Sequence, residues 1–235
     1  MSWKKHIEQL VNSAKNKVVS INLDKAIISY TNKITKHEDP KVINGDEELA
    51  RAYLVHELIN ILDYKPEHIE IEKRYEISLG RKTKLQKGEN DLILKDDEGN
   101  VFYLIEVKSP KEFESGKKTI IGQLFGIARE EARKNKVYYL CYYTTDYTDG
   151  QIRDKAIIID FQRYQEYDHW VEAGAPSVGN ILAPGYSKPK KQPKIKGHEK
   201  FDLQKSITKD EINGIAIDLH NVLWGGYMII GDQNG

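Results

Sequence analysis

DLILKDDEGNVFYLIEVKSP, residues 91–110, decides how this chain is read. DLILK and VFYLIEVK are apolar enough for strands, and the five residues between them, DDEGN, are turn-formers, so the stretch reads as a β-hairpin stopped by Pro110. Period-two geometry then places Glu106 and Lys108 on one face of the second strand and Ile105 and Val107 on the other. A carboxylate and an ammonium half-buried in so apolar a strand cost stability unless they have a partner or a task. The same Asp/Glu-x-Lys spacing recurs at Asp39/Lys41 and Asp63/Lys65, but neither copy lies inside an apolar strand.

Working upstream, Asp46 opens a helix in which Leu49, Ala52, Val55, Ile59 and Leu62 recur with a period near 3.6, with Glu47 and Glu48 in its first turn where the helix dipole favours them. HIEIEKRYEISL after Pro66 alternates as a strand interrupted near Lys73, and GRKTKLQKGEN, residues 80–90, is a polar loop leading into Asp91. Two further amphipathic segments, 3–16 and LDKAIISYTNKI after Asn22, are expected to form a helical extension over residues 1–45. Downstream, 119–135 is a helix with Ile120, Leu124, Ile127 and Ala128 on its apolar side, and VYYLCYYT and KAIIIDF are strands. The order predicts an α/β fold: a mixed central sheet flanked by helices over residues 46–167.

Past Tyr167 the sequence turns rich in Pro, Gly and Lys, so 168–204 reads as a surface linker. Residues 205–235 begin another helical region, with a Thr208/Glu211 capping box, and the chain's abrupt end there suggests truncation.

Lys plus Arg and Asp plus Glu are both 36, so any anionic partner must be held by a local patch rather than a global field. The single cysteine, Cys141, excludes a disulfide framework and multi-thiolate zinc, and it suits a cytoplasmic setting. Neither a signal peptide nor a membrane-spanning run is legible, so no membrane partner is expected. SGKKT at 115–119 lacks the first glycine of a phosphate-binding loop, and the histidines show no metal-ligand spacing.

In a folded hairpin Asp91 comes near Glu106, which puts two carboxylates and an ammonium in one small volume. Hard carboxylate oxygens suit Mg²⁺ or Mn²⁺, and a metal so held polarises a phosphoryl oxygen and acidifies a bound water, while a lysine orients that water or stabilises developing charge. The pattern points to phosphodiester hydrolysis. Arg81, Lys82, Lys84 and Lys87, in the loop just before Asp91, are placed to contact phosphates.

GEND at 88–91 followed by IEVKSP at 105–110 resembles the PD-(D/E)xK nuclease superfamily, with Asn90 where proline is usual. EELAR at 47–51, LDYKPEHIEIE, the hairpin and GQLFGIA extend the resemblance, over roughly residues 46–160, to the N-terminal nuclease domain of type I restriction enzyme restriction subunits and fused restriction-modification proteins. The resemblance implies a restriction-endonuclease-like fold and Mg²⁺-dependent cleavage of double-stranded DNA. Asp91 and Glu106 become metal ligands, the Val107 carbonyl another, and Lys108 the catalytic lysine. Glu48, or alternatively Glu57, corresponds to an acidic residue on the preceding helix, with Arg51 one turn on as a DNA contact. Gln123 matches the glutamine of a Q-x-x-x-Y motif and would orient Lys108, although Ile127 replaces the tyrosine. The implied partners are methyltransferase and target-recognition modules. The alternatives are a noncatalytic DNA-binding or assembly module with the same fold, and a DNA-repair-type exonuclease.

Overall fold

The structure, a computed structural model, describes residues 2–37, 43, 45–78, 85–148 and 150–189. The chain is α/β. Helix α1 (Trp3–Asn12) precedes a hairpin of β1 (Val19–Asn22) and β2 (Ile27–Tyr30), then β3 (Thr35–Lys36) and α2 (Asp46–Asn60). A meander follows: β4 (Ile69–Ser78), β5 (Leu85–Lys95) and β6 (Val101–Val107). The chain crosses over through α3 (Lys117–Glu131) to β7 (Val137–Thr148), and closes with β8 (Gln151–Asp160) and α4 (Tyr167–Glu172). The main sheet has six strands in the order β3-β4-β5-β6-β7-β8, parallel at β3-β4 and β6-β7 and antiparallel elsewhere.

Alternation along the strands divides the apolar side chains between two cores. Tyr103, Ile105, Val107, Cys141 and Tyr143 join the core that contains α1, α2 and the β1-β2 hairpin. Leu104, Leu140 and Tyr142 join the core that contains α3 and Trp170. Helix α2 is covered nearly all round, since Leu49 to Val55 are all buried, which anchors its N-terminus beside the sheet.

Strand β4 changes face partway. Ile69 and Ile71 lie in the α2 core, but Tyr75 lies in the α3 core. The switch falls at Glu72, whose φ of 57° is left-handed and whose pairing with Asp91 is skipped between Ile71↔Leu92 and Lys73↔Asn90. This is the interruption the sequence places near Lys73.

Three sequence expectations are corrected. LDKAIISYTNKI is not a helix: a turn closed by Lys25 N donating to Asn22 Oδ1 (2.9 Å) joins β1 to β2, whose β-branched residues prefer the pleated surface. Strand β5 begins at Leu85, so part of 80–90 is strand and Asp91 lies within it rather than at its head. Nor are 45 and 167 domain boundaries, because residues 1–192 form one compact unit. Trp170 and Leu182 are buried, and the Tyr64 hydroxyl donates to Ala183 O at 2.6 Å, so irregular chain expected to be linker is packed structure. The helix expected over 205–235 lies outside the described residues.

Candidate metal and catalytic site

The backbone register joining β5 to β6 ends at Leu92↔Ile105. Beyond it side chains replace the ladder: Asn90 Nδ2 donates to Ile105 O at 2.9 Å, and Val107 N donates to Asp91 Oδ2 at 2.8 Å. A proline at position 90 would supply no such amide. The hairpin mouth is thus held by two polar side chains, both buried.

Around that mouth the charges interlock. Lys108 Nζ lies 3.0 Å from Glu106 Oε1 and 2.9 Å from Glu47 Oε2, with its side chain 16% exposed. Asp91 Oδ1 accepts from Arg51 Nη1 at 3.1 Å, and Arg51 Nη2 donates to Glu72 Oε1 at 2.8 Å. Glu47 and Arg51 are four apart on α2 and therefore share one face. Downstream, Lys108 N donates to Tyr143 O at 2.9 Å, and the Phe113 ring stacks on Tyr142 at 4.5 Å, which ties the segment after Lys108 to β7.

Electrostatics follow from this crowding. Burial, then the charge of Asp91, pushes the Glu106 carboxyl well above the ordinary carboxylate range, with Lys108 only partly offsetting it. Glu47 is raised for the same two reasons in the same order. Burial alone would lower the Lys108 ammonium, but Glu106, Asp91 and Glu47 outweigh it and raise it. Arg51 is likewise raised against its burial, by Tyr30, Asp91 and Glu72.

The chain gives no match to any protein-family model and none to any curated protein.

Of the residues singled out in the sequence, Asp91, Glu106, Val107 and Lys108 converge at the hairpin mouth. Four others do not take the positions expected. Glu47, not Glu48, reaches Lys108, because adjacent helical residues point about 100° apart. Glu57 faces Tyr53 and Asp154 instead. Arg51 is 7% exposed and engaged with carboxylates, so it is no phosphate contact. Gln123 is exposed on α3, and Lys108 is oriented by Glu106 and Glu47 in its place. Arg81, Lys82 and Lys84 lie outside the described residues, as does the side chain of Lys87, whose backbone pairs with Glu76 in β5. Glu47 and Glu72 are the members that sequence reading missed, and Arg51 is a member in a different role from the DNA contact expected of it. The i,i+4 spacing of Glu47 and Arg51 was the available signal.

No three acidic, histidine or cysteine side chains among the described residues close into a metal-binding group. Mg²⁺ does not require one: it is held by one or two carboxylates and keeps several waters. Asp91, Glu106 and the Val107 carbonyl offer hard oxygen donors, and a divalent cation among them would offset the burial and the Asp91 charge that suppress ionisation of Glu106. The donor set fits.

A second acidic pair lies away from this site. Tyr143 Oη donates to Asp154 Oδ1 at 2.6 Å, and Glu57 is pushed up to about 7 by burial and then by Asp154. A carboxyl raised in the fold binds its proton more tightly there, so its stabilisation is full below about pH 4.5 and is lost as pH rises through about 7. Glu57→Gln is expected to flatten that slope and raise the urea midpoint at pH 8 relative to wild type, a gain in unfolding free energy of up to about 3 kcal/mol. A midpoint unchanged at pH 8 would contradict it.

Proposed function

We propose that the chain carries a metal-dependent deoxyribonuclease domain of the PD-(D/E)xK, restriction-endonuclease-like type, acting within a restriction-modification system on double-stranded DNA. The observation that carries the reading is the Lys108-Glu106 pair at 3.0 Å in an apolar strand, beside an Asp91 pinned to Val107 on the neighbouring strand. Two carboxylates, Glu106 and Glu47, contact the partly buried Lys108, and Asp91 adds its charge nearby, the kind of crowding a hydrolytic site uses to hold a cation.

A bound Mg²⁺ or Mn²⁺ would supply Lewis-acid polarisation and an acidified water. Asp91, Glu106 and the Val107 carbonyl would hold it. Lys108 holds the negative charge of a phosphate close, positions the attacking water, and stabilises charge on the phosphoryl oxygens as the P–O bond to the leaving group breaks. Glu47 orients Lys108 from the α2 side. Methyltransferase and target-recognition modules are proposed partners, on the resemblance of residues 46–160 to restriction subunits.

Supercoiled plasmid with Mg²⁺ tests the reading. Wild type is expected to nick circular DNA, while EDTA or Asp91→Asn removes nicking. Cleavage of linear DNA alone would favour an exonuclease. The noncatalytic module is the second reading, favoured by one observation: Asp91 and Lys108 are already satisfied by protein partners. It predicts DNA or subunit binding indifferent to metal and to Glu106→Gln.

Among the described residues no helix is long and apolar enough to cross a membrane.

A further inference from the structure

Glu72 stands out because its backbone and its side chain are both unusual. Its φ of 57° is a conformation that a glutamate adopts at a cost of about 1–3 kcal/mol, and such strain persists where surrounding structure enforces it. The side chain is 4% exposed and ends on Arg51, 2.8 Å away, which in turn grips Asp91. Glu72 lies opposite Asp91, where the β4-β5 ladder skips one pairing without changing register.

We infer that Glu72 is a positioning residue: its carboxylate fixes Arg51, and Arg51 fixes the Asp91 carboxylate between its guanidinium and the Val107 amide. Asp91 has one carboxylate oxygen on each of these partners, so its orientation is set from both sides. Left to a solvated rotamer, Asp91 would sample other orientations and lose the amide. Outer partners of this kind orient metal-ligating carboxylates and set their affinity. The inference rests on the proposed nuclease reading only for its metal readout.

Amide hydrogen exchange separates the two. Val107 N–H donates to Asp91, while the next amide, Lys108 N–H, donates to Tyr143 O at 2.9 Å on the other side of the strand. In Glu72→Gln, exchange at Val107 is expected to accelerate 10-fold or more while Lys108 stays as in wild type. Global destabilisation would instead move both amides together and overturn the inference. Glu72→Gly accepts the left-handed φ without strain and lacks the carboxylate, so it guards against a folding failure. Wild-type exchange at Val107 in the glycine variant would assign the effect to the left-handed backbone at position 72 and overturn the role of the side chain. Titration with Mn²⁺, followed by loss of its free-ion electron paramagnetic signal, is expected to give a dissociation constant 10- to 100-fold weaker in Glu72→Gln. If wild type binds no Mn²⁺, the nuclease reading fails, and the exchange result still decides the role of Glu72.

Discussion

Replacing Lys108 with alanine is expected to lower the initial rate of Mg²⁺-dependent plasmid nicking by roughly 10²–10³-fold, the range seen when one preorganised donor to a developing oxyanion is removed. The size follows from its place: among the described residues Lys108 is the cation within 3.0 Å of Glu106, it also bonds Glu47, and Arg51 is committed to Asp91 and Glu72. Without the ammonium, Glu106 and Glu47 lose the group that offsets their burial, so both move further toward the protonated state. The sign of the pH effect is then fixed. A metal must displace the proton on Glu106, so metal binding and nicking should increase with pH above the ordinary carboxylate range, and the Lys108→Ala profile should shift to higher pH still. Gln123→Ala serves as the contrast, because its side chain is exposed and should leave the rate within a few-fold of wild type. Equal nicking by wild type and Lys108→Ala would dismiss the lysine's role.

The hairpin that carries this site was legible because its signals are local. Alternation, a five-residue polar turn and Pro110 fix the strands and the faces of Glu106 and Lys108 without knowledge of the rest of the chain. The helix over 46–60 was legible for the same reason. What the sequence hid is long-range. Nothing near Glu72 announces that β4 changes face there to lie opposite Asp91, or that Arg51, reached across 40 residues, takes the carboxylate that a local reading reserves for a cation. Glu48, which the resemblance selects, shares one acidic first turn with Glu47, and only the helix's rotation on the sheet decides which of them reaches Lys108. Residues 168–189 were misread because their Pro and Gly content suits a linker, while the apolar residues that pin them, Trp170 and Leu182, are too few to give a period.

Arg51→Met should be the most destabilising single change at the site. The guanidinium is buried and bonds two carboxylates, and removing it withdraws the cation that Asp91 and Glu72 share in a poorly solvated pocket. Breaking a buried pair by deleting one partner costs roughly 3–5 kcal/mol. At roughly 2–4 °C per kcal/mol for a domain of this size, the melting temperature should fall by about 6–20 °C, as read by circular dichroism at pH 7. The loss has a specific remedy. Adding Glu72→Gln and Asp91→Asn removes both carboxylate charges, so the triple variant should regain most of the melting temperature while remaining inactive, because the cost lies in buried charge that has lost its counter-ion rather than in missing contacts. A guanidinium reaching for phosphate would behave in the opposite way: Arg51→Met would melt like wild type and lose only salt-dependent DNA affinity. The two outcomes differ in kind, and melting without any DNA present distinguishes them.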